Sequence, residues 1–251
     1  MTVRYEANPP KMLPGINLDS VALEFVRKIS TIYSSCDAMH LTENVLGLQR
    51  MSPISIGKMI KNNTPDLPIT VSLRVRDKSE QQIHAFVNDC IDAGFSGILV
   101  LMGDPQQDGM PDSGEIPSSV VKRLHSQGVD SDIDLYLSVP NNPDFRRLEK
   151  KIDACPKGFI TQVIQSPEQV QALHDSLSGF AIVPILLFPS EKNLKSAKFL
   201  DIDLATYDKN FEVFTRDIHA ITGDILITSP NDFYGLRHFL EGNHVADTSN
   251  T

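Results

Sequence analysis

Apolar residues recur along this chain in two alternating periods, and the order of those periods is the first thing the sequence gives away. A short strand is predicted over Val3 to Ala7, halted by Asn8-Pro9-Pro10. Val21, Phe25, Ile29 and Ile32 then fall at helical spacing, which predicts an amphipathic helix over Leu18 to Tyr33 with Asp19 as its cap. Cys36 to Thr42 reads as a strand, and Pro53 to Asn62 as a helix opened by Ser52 and Pro53. Pro68 to Val75 alternates strictly, with Ile69, Val71, Leu73 and Val75 on one face and Thr70, Ser72, Arg74 and Arg76 on the other. A helix from Ser79 to Ala93 is closed by Gly94.

The second half repeats the theme. An apolar run, Gly97 to Met102, breaks into Gly103-Asp104-Pro105, so a buried strand ends in a turn carrying a carboxylate. A polar loop leads to a helix from Ser118 to Ser126; strands follow at Asp132 to Val139, Gly158 to Ile164 and Phe180 to Phe188. Helices separate them at Asp144 to Ala154, Pro167 to Leu177 and Glu191 to Phe199. An extra helical stretch, Tyr207 to Ile221, precedes a last strand, Asp224 to Thr228, and a last helix, Asn231 to Leu240. Eight strand–helix units with no linker or composition shift predict a single α/β domain, a (β/α)8 TIM barrel over residues 1–241, with 242–251 a tail without order. The rival is a doubly wound sheet, weakened because no G-x-G-x-x-G follows the first strand.

Composition narrows the picture. Across 251 residues, 41% apolar content suffices for a large core, and a net charge of −9 disfavours nucleic acid and anionic membranes as partners. No apolar run is long enough to span a bilayer, and Arg4 and Glu6 stand where a secretion signal would be apolar. Cys36, Cys90 and Cys155 show no metal spacing, so free thiols and a cytoplasmic location are expected.

A barrel keeps its chemistry at the carboxyl ends of its strands. Turning each apolar parity toward the helices leaves Glu6, Thr42, Arg74, Asp104 and Gln162 near that mouth. Two carboxylates crowded there would repel each other and raise one pKa, which favours Glu6 as a protonated general acid. The bland alternative is an internal salt-bridge network of Arg4, Arg74, Glu6 and Asp104 that only closes the barrel.

Five segments, in one order over about residues 3–200, resemble the methylenetetrahydrofolate reductase family. They are YEANPP at 5–10, LT at 41–42, GILVLMGDP at 97–105, KKIDA at 150–154 and FITQ at 159–162. The resemblance implies a flavin-dependent barrel in which NAD(P)H reduces FAD and hydride passes to a methylene carried by a reduced folate or related pterin. It implies Glu6 as general acid, Asp104 near flavin and pterin, and Gln162 as a contact to folate and nicotinamide. Thr42, Gly103, Asp144 and Lys151 match flavin-binding positions. The chain departs from the family in having Met102 where an Arg is usual before Gly-Asp, and in a short fifth loop, VPNNPDF at 139–145. Those departures leave open direct hydride transfer without flavin, or a barrel serving as a binding subunit of a partner or of a homo-oligomer.

Other residues have plainer readings. His40 reads as a core histidine, and Arg74 is a candidate substrate contact. Arg50 and Ser52 lie beyond the second strand, where they could anchor a phosphate or a folate glutamate tail; Ser52 also suits a helix cap. Lys150 and Lys151 read as solvated helix face, Cys90 as inert, and Asp108 to Glu115 as a loop of lid length.

Overall fold

The computed structural model describes residues 2–45, 48–105, 112–206 and 210–248, with backbone alone for 147, 206 and 243–248. The first half of the expected lid and the start of the extra helical stretch, within residues 106–111 and 207–209, lie outside the described residues. Eight parallel strands occur in chain order: β1 (Thr2–Ala7), β2 (Ala38–Leu41), β3 (Ile69–Arg74), β4 (Gly97–Leu101), β5 (Asp134–Val139), β6 (Gly158–Val163), β7 (Ala181–Leu187) and β8 (Asp224–Thr228). They close in that order, with β8 pairing back onto β1 through Thr2↔Asp224 to Glu6↔Thr228. The doubly wound alternative is thereby excluded.

The helices are α1 (Leu18–Ser30), α2 (Pro53–Asn63), α3 (Glu80–Asp92), α4 (Pro117–Ser126), α5 (Glu149–Ile152), α6 (Pro167–Ser176), α7 (Leu194–Phe199), α8 (Phe211–Thr222) and α9 (Phe233–Thr248). Local chemistry sets their ends. Asn17, rather than Asp19, caps α1 by accepting from the Ser20 amide, because a side chain caps the N–H groups that follow it and Asp19 already lies inside the first turn. Ser79 and Gln82 form a reciprocal capping box at α3, and Gly94 takes a positive φ just after it. The expected fifth helix is cut short. Asp144 accepts from the Arg146 amide and starts a 3-10 turn, Phe145–Arg147, leaving only Glu149–Ile152 as α-helix. The last helix continues past Gly242 to Thr248, and 249–251 lie outside the described residues.

The outward faces of the strands pack on the helices in one large core, which includes Ile69, Val71, Leu73, Phe159 and Ile182. Burying each such side chain contributes about 1.5–3 kcal/mol. A second, smaller cluster fills the barrel: Leu99, Tyr136, Ile160, Val183 and Leu226, with Leu101 and Ile185 against it. It occupies the β4-to-β8 side. The β1-to-β3 side is polar: Arg4 grips Asp224 at 2.6 Å and reaches across to the Thr70 hydroxyl at 3.3 Å. His40 Nε2 and Ser72 Oγ lie 2.9 Å apart above them. The predicted parity of β3 therefore holds, and the barrel has an oily half and a hydrogen-bonding half.

Between Ile160↔Val183 and Val163↔Ile185 the ladder shifts, and β6 carries an extra residue opposite Pro184. The Thr161 hydroxyl accepts the Ile185 N–H there at 3.0 Å, taking the place of a ladder carbonyl.

Candidate active site

Glu6 sits next to last on β1, and the register places it beside His40 on one flank and Thr228 on the other. Its carboxylate accepts from the Thr228 hydroxyl at 2.7 Å. Some of the residue still meets solvent, yet the barrel wall surrounds the carboxyl group. Desolvation raises its pKa, and the Thr228 bond opposes that only in part. The cause is burial, not the carboxylate–carboxylate repulsion that the sequence suggests. Asp104, the other acid, lies on the exposed turn after β4.

Arg74, at the end of β3, is 1% exposed. Its Nη1 donates to the Asn44 carbonyl at 2.8 Å, its Nη2 to the Asp104 carbonyl at 2.7 Å, and Asp77 lies 3.7 Å away. The guanidinium thus ties the loops after β2 and β4 to the rim. Gly103 takes φ +82° directly against it, and a Cβ there would come within 2.9 Å of Arg74 Cγ and Nε. The alternative network of Arg4, Arg74, Glu6 and Asp104 does not form as such among the described ion pairs. Arg4 pairs with Asp224 and Arg74 with Asp77, because each is nearer the barrel layer that its own strand position reaches.

Thr42 is buried just after β2 and donates to Asn8 Oδ1 at 2.7 Å, joining the first two strand ends. Gln162 is exposed at the β6 bulge, on the parity of Ile160. Lys151 turns back from α5 so that its Nζ donates to the Ser138 carbonyl in β5, and burial lowers its pKa. It is not the solvated helix-face residue that its amphipathic context suggests. Asp144 is spent locally, 3.1 Å from the exposed Arg146. Glu6, Thr42, Arg74 and the Gly103–Asp104 turn therefore gather at the β1-to-β4 rim, with Lys151 and Gln162 on the β5–β6 side and Asp144 in its own loop.

His40 is neutral: burial first, and the Arg4 charge second, push its pKa down to about 3. Its Nδ1 has no hydrogen-bond partner among the described residues. Cys36 and Cys155 are free, as is Cys90, whose thiol pKa is pushed up by burial. Among the described residues no cluster of metal-ligating side chains forms, and no helix is long and apolar enough to cross a membrane.

Sequence reasoning missed Thr228, Glu43, Asn44 and Lys78. Thr228 was accessible, since closure of eight strands places the end of the eighth beside the first. Glu43 joins Lys78 at 2.7 Å and takes the Arg74 amide at 2.8 Å. Asn44 adopts φ +43°, receives Arg74 on its carbonyl and accepts the Arg50 amide with its side chain. No period marks such loop residues.

A closed (β/α)8 barrel of eight parallel strands, with a buried carboxyl group at their carboxyl end, defines the class as a TIM barrel. Solved structures similar to it include a 2,3-dimethylmalate lyase of the PEP mutase/isocitrate lyase superfamily, at 14% identity and TM-score 0.55 over 99% of this chain and 80% of that one. Tryptophan synthase from M. tuberculosis is similar at 12% identity and TM-score 0.55, over 90% of this chain and 82% of that one. The Pyrococcus furiosus tryptophan synthase is similar at 10% identity and TM-score 0.54, over 90% and 86%. At such identities the likeness is one of fold. No curated protein matches the chain. The sequence profile of methylenetetrahydrofolate reductase matches residues 1–201, and the chain belongs to that family. It is a folate-related reductase by membership.

Proposed function

We propose that the protein reduces 5,10-methylene-tetrahydrofolate, or a related pterin, to the 5-methyl form, with NAD(P)H as hydride donor, through bound FAD. The observation that carries this reading is Glu6: a carboxyl group at the mouth whose desolvation favours the protonated form, held in one orientation by Thr228. A neutral carboxylic acid there suits an electrophile that must be made near neutral pH. Glu6 gives its proton to N10 of the substrate as the bond from N10 to the methylene carbon breaks, which leaves an iminium at N5. Hydride then adds to that carbon and completes the methyl group, and Glu6 regains its proton from solvent at its open edge.

The remaining groups position. Arg74 is buried, with both terminal nitrogens donating to the β2 and β4 loops, so it shapes the rim rather than reaching out to substrate. Asp104 and Gln162 are both exposed at the mouth, where a ligand over the barrel would meet them. The residues fit a flavin dinucleotide on one observation. Lys151 is a half-buried ammonium whose described partner is a carbonyl, which suits a phosphate. Thr42, Gly103, Asp104 and Lys151 would hold the group, with Asp144 at its outer end; bound there, flavin supplies a two-electron relay between nicotinamide and pterin.

The test begins with the absorption spectrum of purified protein. A flavin band bleached by NAD(P)H and restored by methylene-pterin is the expected result. Glu6→Gln should keep the bleaching step and lose pterin turnover by roughly 10²-fold or more. Wild-type turnover in that variant removes Glu6 from the mechanism, and a colourless protein that still oxidises NAD(P)H with methylene-pterin replaces the flavin route by direct transfer.

A further inference from the structure

Two cations stand side by side on the rim with no ion-paired acid among the described residues. Beyond β1 the chain runs antiparallel to the segment before α2: the Met12 amide donates to the Gln49 carbonyl at 3.0 Å and the Met51 amide to the Pro10 carbonyl at 2.9 Å. Lys11 and Arg50 are bridge partners in this lip. Cross-strand partners project to the same side, and like charges so opposed repel. Acids are not scarce, at 32 against 23 bases, yet neither residue forms an ion pair among the described residues. Glu43, close in sequence to Arg50, is committed to Lys78 and to the Arg74 amide.

Arg50 is half-buried and fixed. Its Nη1 donates to the Pro9 carbonyl at 2.7 Å, its own amide is taken by Asn44, and its Nε is buried with no partner among the described residues. A guanidinium that has lost part of its water and gained no carboxylate has bonding capacity for an anion. Beside it, Met12 and Leu13 leave 44% and 56% of their surface exposed.

We propose that this Lys11–Arg50 lip binds the glutamyl carboxylates of the folate substrate, with Met12 and Leu13 against its aryl ring. The inference rests on the function proposed above. Pro9 lies three residues past Glu6, about 10 Å of extended chain, which is comparable to the distance from the reacting methylene to the glutamyl group of a folate. A nucleotide phosphate carries the same charge. The lip, however, stands on the Glu6 side of the mouth, and Lys151 stands across the barrel on the β5 side, so the substrate's own anion is the nearer fit.

Binding of tetrahydrofolate, its triglutamate form and tetrahydropteroate, which lacks the glutamate, to the whole protein at two salt concentrations tests this. Wild type should prefer the triglutamate over the pteroate by about tenfold or more, less at high salt. Arg50→Gln should reduce that ratio several-fold. Lys11→Glu should do the same, and it changes only an exposed side chain, so a folding defect cannot account for its effect. An unchanged ratio in Lys11→Glu overturns the proposal, as does an intact ratio accompanied by a lost preference between NADPH and NADH, which would give the lip to a nucleotide phosphate. Wild type that binds pteroate without preferring the longer tails removes the lip alone; wild type that binds no pterin removes the proposed function with it.

Discussion

Glu6 and His40 are neighbours across β1 and β2, and burial moves their pKa values in opposite directions, so they give the molecule opposite acid–base signatures. Folded Glu6 keeps a proton that the unfolded chain has lost, so the folded state binds more protons and stability falls as pH rises above the ordinary carboxylate range. Glu6→Gln, whose amide oxygen still accepts from Thr228, should therefore melt higher than wild type, by a margin that grows with pH; calorimetry from pH 5 to 8 reads it. Folded His40 refuses a proton that the unfolded chain accepts between pH 6.5 and about 3, so stability falls as pH drops through that window. His40→Asn should flatten this acid limb in urea titrations, and an unchanged limb would place the acid sensitivity elsewhere. At this scale the sequence made Glu6 legible, because strand parity turns it inward at the carboxyl end of β1, three residues before a Pro-Pro corner. It hid the cause of the shift, since desolvation depends on how far the wall encloses the group.

Among the elements, the turn after β4 shows how an exposed acid can belong to a rigid rim. Gly103 combines a left-handed φ with an approach to Arg74 that a methyl group would violate. Gly103→Ala should cost about 2–3 kcal/mol of stability and loosen the Asp104 carbonyl from Arg74, read by urea unfolding. A loss under 0.5 kcal/mol would mean that the turn re-forms freely. The strands and most helices were readable because each has a single period and a marked end, as in the alternation of Ile69 to Val75. The region from Asp144 to Ile152 misled because its charged and apolar spacing suits a helix, while a hydrogen bond from the Arg146 amide to Asp144 Oδ1 diverts the backbone. Lys151 was misjudged for the same reason: only the short α5 lets its side chain swing to β5.

For the molecule as a whole, closure is the decisive contact. The family match ends at residue 201, whereas β8, which completes the cylinder and supplies Thr228 and Asp224, begins at Asp224. A chain ended at residue 201 should fail to fold cooperatively, because β1 and β7 would both present unpaired edges and Arg4 would lose its carboxylate. Amide exchange without slow protons in β1 is the expected signature; protection equal to that of the intact chain would show that seven strands suffice. Eight strand–helix periods announced this architecture. What they could not announce was which side chains meet inside, since parity assigns a face but not a partner.

The division of the barrel interior into an oily arc and a hydrogen-bonding arc has a consequence for whatever lies above it. A flat heterocycle has one edge rich in nitrogen and oxygen and another of bare carbon, and over such a floor its two ways of lying down differ in energy. For a ring bound there, the asymmetry would act as a compass that turns the heteroatom edge toward Glu6 and Thr228. The same bearing would decide which surface of the ring is offered upward, so the stereochemical course of a transfer would follow from the lining beneath it.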